Sequence, residues 1–170
     1  MSETRVHILN HTGIMAGLRR MAYQIYEANY LEEELVVIGV DERGGLLADE
    51  IVSHLRQISP LRITLIKSYL DRSLSPVTGL RLSEADSVLT GKAVLVVDDV
   101  LYSGKTLLHV VAGLLPAMPR TLQTAVLIDR GHRLFPIGAD FVGLQLATTI
   151  QQHVSVEIEP SGGQIQAFLS

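Results

Sequence analysis

The chain has 170 residues, 14 Lys plus Arg against 18 Asp plus Glu, a formal net charge of −4, and 47% apolar against 19% charged residues. That balance fits one domain with a sizeable core and excludes an intrinsically disordered chain. Without cysteine there is no disulfide scaffold, thiolate zinc site or Cys nucleophile, and the mild acidity argues against a broadly basic nucleic-acid binder while leaving room for a local basic patch.

The N-terminus lacks a basic region followed by an apolar run, and no apolar stretch approaches ~20 residues. A secretory signal and a membrane span are therefore not expected, and a cytoplasmic location is. Asn10 to Asn29 reads as a helix, because Ile14, Leu18, Met21 and Ile25 form one stripe. Leu35 to Val40 is an apolar run of strand length. Gly44 to Gln57 reads as a helix on Leu47, Ile51 and Leu55, and Leu61 to Ile66 as a second strand. Asp71 to Gly91 is polar, carries Ser75-Pro76 and Thr78-Gly79, and reads as a long loop. Ala93 to Val97 is a third strand, Gly104 to Leu115 a helix and Thr124 to Ile128 a fourth strand. Short strands are expected at Phe141-Val142, Val154 to Ile158 and Gln164 to Phe168, with a turn at Ser161-Gly162-Gly163.

Strands apolar along their whole length are buried on both faces, and their alternation with helices predicts a doubly wound, mostly parallel α/β sheet. Ligands of such sheets sit beyond the carboxyl ends of the strands. Three polar clusters fall there, after Val40, Val97 and Ile128.

The cluster after Val97 reads Asp98-Asp99-Val100-Leu101-Tyr102-Ser103-Gly104-Lys105-Thr106. A small polar turn opening a helix offers unpaired amides to a phosphate. The paired carboxylates repel phosphate and suit hydroxyls, a divalent cation or a developing positive charge. A sugar phosphate with vicinal hydroxyls and a metal needs all of these. The nucleoside-triphosphate loop fits less well, since its first glycine falls on Asp99. A plain helix cap needs neither acid pair nor phosphate turn.

The run VVDDVLYSGKT resembles the phosphoribosyl pyrophosphate (PRPP) motif of type I phosphoribosyltransferases. The resemblance implies that fold with a small C-terminal hood, about 129–160 plus the N-terminus, within a single domain over residues 1–170. It implies that Asp98 and Asp99 face the ribose hydroxyls and a Mg²⁺ held through PRPP and water, and that Tyr102, Ser103, Gly104, Lys105 and Thr106 cradle the 5-phosphate. Glu42, Arg43, Gly44 and Gly45 fall at the family's pyrophosphate loop, and Lys67, Ser68 and Tyr69 at the hinge of a flexible lid, about 71–91. Asp98, Asp99, Arg43 and Tyr69 are the candidate catalytic residues. Asp129-Arg130-Gly131-His132-Arg133, with the Pro136 and Ala139-Asp140-Phe141-Val142-Gly143 that follow, is similar to the segment of the PyrR subgroup, bifunctional uracil phosphoribosyltransferases and regulators of pyrimidine operons. Tyr102 suits a ring smaller than a purine. Asp129, Arg130 and Val154 fall where the base is bound.

The resemblance implies transfer of ribose 5-phosphate from PRPP to uracil, with at least a homodimer as the assembly. Lys67-Ser68-Tyr69 and Arg43-Gly44-Gly45 look more like hypoxanthine-type enzymes, so a purine base is the alternative. Gly138 stands where a second arginine is expected, and Gly143 to Thr149 lacks the usual Lys and Pro. With the net charge of −4, this argues against RNA binding, which stays as a further alternative. His54 and His109 fall on helices and are read as packed or solvent-facing.

Overall fold

The computed structural model describes residues 5–159 and 163–170. Its first strand, β1, is Val6–Leu9, followed by α1, His11–Ala28. Asn10 caps α1 by accepting the Gly13 N–H at 2.8 Å. The core unit is β2 (Glu34–Val40), α2 (Asp41–Ile58) and β3 (Arg62–Leu70). A short helical turn α3 (Pro76–Gly79) and strand β4 (Leu80–Leu82) lead through a 3-10 turn to β5 (Ala93–Leu101). Then come α4 (Lys105–Leu114), β6 (Thr121–Asp129), β7 (Phe141–Gln145), β8 (Val154–Ile158) and β9 (Ile165–Leu169).

Six strands form the main sheet in the order β4-β3-β2-β5-β6-β7, all parallel except β4. Alternate residues of β2 and β5 point to opposite faces, as the strand period requires. Leu35, Val37, Leu95 and Val97 join Ile14, Leu18, Leu47, Ile51 and Leu55 under α1 and α2. Val36, Ile38, Val94 and Val96 join Leu107, Val110 and Leu114 under α4. Each fully buried Leu or Ile contributes roughly 1.5–3 kcal/mol. β1, β9 and β8 form a second, three-stranded sheet, whose Val154, Val156, Ile165 and Ala167 share the α1 core. This second sheet joins the N-terminal strand to the last two strands of the chain. The described residues contain no helix long and apolar enough to cross a membrane.

The chain leaves β2 toward β3 on one side, while β5 leads to β6 and β7 on the other. The carboxyl ends of β2 and β5 thus meet at the switch point of the sheet, where a crevice opens. Glycine sets how closely α2 sits there. A Cβ on Gly39 would lie 2.5 Å from the Gly45 Cα, and one on Gly44 2.6 Å from the Val97 carbonyl oxygen. The first turn of α2 therefore rests directly on the backbones of β2 and β5.

The structure places three further segments. Glu42, Arg43, Gly44 and Gly45 do not form a loop, since α2 begins at Asp41. Two acids in the first turn favour the helix start and outweigh the glycine pair. Lys67, Ser68 and Tyr69, expected at the hinge of a lid, lie inside β3 just before residues 71–91, where Ser68 pairs with Val40 and Leu82. Residues 71–91 are not structureless, because β4 returns along β3 and α3 rests on α4, with a Cβ on Gly113 falling 2.6 Å from the Pro76 carbonyl oxygen. Ser161 and Gly162 of the expected turn lie outside the described residues.

Gly39→Ala or Gly44→Ala forces α2 off the sheet. Either change is expected to cost about 1–3 kcal/mol in urea unfolding. An unchanged midpoint would mean that α2 is not seated as described.

Candidate active site

β5 does not stop at Val97. Its pairing with β6 continues through Asp98↔Val126 to Leu101↔Asp129, so both acids belong to the strand. Asp98 is buried, and its Oδ1 accepts the Asp99 N–H at 2.8 Å. Asp99 Oδ1 accepts the Val100 N–H at 2.8 Å, and its Oδ2 lies 3.7 Å from the Arg43 guanidinium. That separation is an ion pair rather than a hydrogen bond, so Arg43, half exposed, keeps donors for a ligand.

Burial holds the Asp98 carboxyl well above the usual carboxylate range, and the Asp99 and Asp41 carboxylates add to the effect against the favourable Asp99 N–H. This pair carries more negative charge than its surroundings neutralise. A divalent cation or a cationic sugar ring fits such a place.

Downstream, Gly104 turns the chain with φ 84°. A Cβ there would stand 2.8 Å from Ile137 Cγ2, so the position suits glycine on two counts. Gly104 has no side chain to cap α4, and Ser103 Oγ accepts the Lys105 N–H at 3.3 Å. The first amides of α4 and the Ser103 and Thr106 hydroxyls border a cavity of about 170 Å³ whose wall also includes Asp98. The first of the two predicted acids and the phosphate turn therefore meet in one cavity, while Asp99 faces Arg43 outside its lining. Val100, Leu101, Leu107 and Val126 complete the wall. Val100 and Leu101 lie within the run VVDDVLYSGKT, whereas Leu107 and Val126 carried no signal in sequence beyond their place in helix and strand. Lys105 starts α4 with an exposed side chain and does not border the cavity.

The segment after β6 fastens the phosphate turn. The Ser103 carbonyl accepts the Leu134 and Phe135 N–H groups at 2.9 and 3.1 Å. The Tyr102 ring lies over the Arg130 guanidinium, 4.1 Å from ring centroid to Cζ, and meets the His132 ring edge-on at 6.4 Å. Arg130 is buried, and its Nε donates to Thr148 Oγ1 at 3.0 Å. Its Nη2 donates to the Thr149 and Gln152 carbonyls, and a His132 ring nitrogen meets the Thr148 carbonyl. Asp129 accepts the Gly131 N–H at 2.9 Å and pairs with Arg133 at 2.8 Å.

The three residues expected at the base are thus committed elsewhere. Asp129 holds its own turn, Arg130 holds the 148–152 turn, and Val154 is buried in β8. None of them borders the cavity beside Asp98. Tyr69 is exposed at the far end of β3, where it borders a separate cleft with Lys67, Glu42 and Gly45. Ser68 is buried, and its hydroxyl donates to the Gly39 carbonyl at 2.9 Å. Thr148 and Gln152 in this network were missed, because their partners lie some twenty residues away and no local pattern marks them.

Residues 5–161 match the model of the phosphoribosyl transferase domain. The chain belongs to that family. It is 34% identical to the bifunctional protein PyrR of Pelotomaculum thermopropionicum, with 96% of this chain and 94% of that protein aligned. With the bifunctional protein PyrR of a bovine Staphylococcus aureus strain the identity is 36%, over 89% and 91% of the two chains. Among solved structures, a hypoxanthine-guanine phosphoribosyltransferase of Bacillus anthracis is similar with a TM-score of 0.74 at 20% identity, covering 97% of both chains. A hypoxanthine phosphoribosyltransferase of Trypanosoma cruzi is similar with a TM-score of 0.69 at 20% identity, covering 87% of this chain and 83% of that one. These two show the type I phosphoribosyltransferase fold.

The raised Asp98 pKa carries a stability consequence. A carboxyl that holds its proton more tightly when folded favours folding below the ordinary Asp range, and that contribution is lost as pH rises through the raised value. Asp98→Asn keeps an acceptor for the Asp99 N–H and removes the charge. The ligand-free variant is expected to unfold at a higher temperature than the parent at neutral pH, with the gap closing in acid. A lower melting temperature at neutral pH would contradict the assigned direction.

Proposed function

We propose that the protein transfers the 5-phosphoribosyl group of PRPP to uracil, giving uridine monophosphate and pyrophosphate. The observation that carries this reading is the single cavity bordered by buried Asp98 and by the amide-rich turn Ser103 to Thr106. In the reaction, the bond from ribose C1 to the pyrophosphate oxygen breaks, a bond from C1 to the uracil ring nitrogen forms, and that nitrogen loses its proton. Departure of pyrophosphate builds positive charge on the ribose ring.

The Ser103 to Thr106 turn binds the 5-phosphate, with Tyr102 at its edge. Asp98 and Asp99 bind the ribose hydroxyls and support the cationic ring electrostatically. Arg43, with Glu42, Gly44 and Gly45 in the same turn, faces the pyrophosphate. The unneutralised acid pair fits Mg²⁺, which Asp98 and Asp99 would hold through PRPP and water. When bound, the ion supplies charge neutralisation at the leaving group. The lid segment with Lys67, Ser68 and Tyr69 at the adjoining strand limits water, which would otherwise hydrolyse PRPP.

Uracil is preferred over a purine because Tyr102, held by Arg130 and His132, presents a fixed aromatic ring beside the phosphate turn. The basic residues also bear on the RNA alternative. Arg20 donates to the Val142 and Gly143 carbonyls, Arg133 pairs with Asp129, and Arg130 is buried. These arginines are committed within the chain, which does not favour phosphate contacts to RNA. The proposal includes assembly at least as a homodimer and a cytoplasmic location.

The test is PRPP turnover with uracil, hypoxanthine and guanine in the presence of Mg²⁺. Turnover with uracil is expected, and Asp99→Asn should lower kcat/KM by about 100-fold. Activity with a purine alone would replace the base and keep the chemistry, whereas no turnover with any base would end the proposal.

A further inference from the structure

Asp41 is one of two non-glycine residues with positive φ among the described residues, at 52°. It starts the turn that carries Glu42, Arg43, Gly44 and Gly45. A carboxylate at that place repels the polyanion assigned to the turn. The structure directs this carboxylate elsewhere. Asp41 Oδ1 accepts the Leu70 N–H at 3.0 Å, and Oδ2 pairs with Arg72 Nη2 at 3.0 Å. Arg72 Nη1 also lies 3.4 Å from the Leu70 carbonyl oxygen. Leu70 closes β3, and Arg72 is the second residue of the segment that follows. Asp41, with Tyr69, therefore borders both of two adjoining clefts. One, of about 420 Å³, holds Glu42, Lys67 and Tyr69, and the other, of about 480 Å³, holds Arg72 and Arg81.

We propose that Asp41 and Arg72 are positioning residues for PRPP. Arg72 neutralises Asp41, so that the first turn of α2 accepts pyrophosphate. The Asp41 hydrogen bond to Leu70 fixes the root of the lid segment against the same turn. Neither residue needs to touch the substrate. The inference rests on the PRPP reading above.

The left-handed backbone and the side-chain contacts support one another. Only by turning back at Asp41 does the chain send the carboxylate toward β3 while Arg43, two residues on, reaches Asp99. Charge balance follows the same line. Arg72 faces Asp41 and Arg43 faces Asp99, so the crevice alternates in sign from lid root to ribose site.

Arg72→Ala is expected to raise KM for PRPP about fivefold, the upper range for a partly exposed ion pair, with kcat little changed. Asp41→Asn keeps an oxygen acceptor for the Leu70 N–H and removes the negative charge. Combined with Arg72→Ala, it should return KM close to the parent value. An equal rise in both backgrounds would mean that Arg72 binds the anion directly, and an unchanged KM in Arg72→Ala would mean that it does nothing there. Either result overturns the neutralising role. Hydrogen exchange of the Leu70 amide in the substrate-free protein reads the lid-root contact separately. Exchange should be slow in the parent and in Asp41→Asn, and faster in Asp41→Ala. Equal exchange in all three overturns the fixing role. If the parent turns over no PRPP, the substrate role falls with the activity, while the exchange result still decides the contact.

Discussion

Two adjacent carboxylates at the buried end of β5 set the terms for the rest of the structure. Asp98 is buried in the sheet with Asp99 beside it and Asp41 nearby, and burial first, then these charges, favours a proton or a cation there. Such an arrangement works against folding and persists because the surrounding sheet over-determines it. Each neighbouring element reads as a response. Arg43 stands near Asp99, Arg72 draws the Asp41 charge outward, and the amides of α4 face the cavity from the other side. The positive end of a helix next to a negative pair gives one ligand two opposite attachments. A ribose phosphate matches both, with its hydroxyls at the acids and its phosphate at the amides.

The glycines of β2 and α2 convert this electrostatic pattern into geometry. Without the close contact of Gly39 with Gly45 and of Gly44 with Val97, the start of α2 would stand farther from β5. Arg43 would then be unable to pair with Asp99 across the crevice. The apolar faces under α1, α2 and α4 hold the helices in place along their lengths. They do not determine where the helix ends fall. That is done by backbone contacts at single glycines and by the left-handed residues Asp41 and Gly104, which begin or precede the two site-forming helices.

The alternating strands and helices were legible because buried parallel strands are apolar runs and because helix stripes repeat every three or four residues. The acid pair and phosphate turn were legible as well, since both lie in one short stretch from Asp98 to Thr106. What sequence did not show depends on distant partners. β3 runs past Ile66 to Leu70 because β4 pairs with it, and β4 has no strand pattern of its own. The glycine pair after Arg43 suggested a loop, yet acids at the helix start and packing on β5 make it helical. Arg130 was expected near the base only by its family position. Its actual partners, Thr148, Thr149 and Gln152, become visible only once the chain is folded.

The turn Tyr102 to Thr106 and the connections around β6 to β8 are therefore parts of one assembly. Tyr102 belongs to the turn, Arg130 and His132 to the segment after β6, and Thr148 and Gln152 to the connection before β8. A buried guanidinium between an aromatic face and several carbonyls leaves few alternative arrangements, because any other position strands its donors. Movement of the 148–152 turn would thus be felt at the Tyr102 ring, and through Ser103 at the amides that border the cavity. The turn Tyr102 to Thr106 and the 148–152 turn are thus tied together through Arg130 and His132.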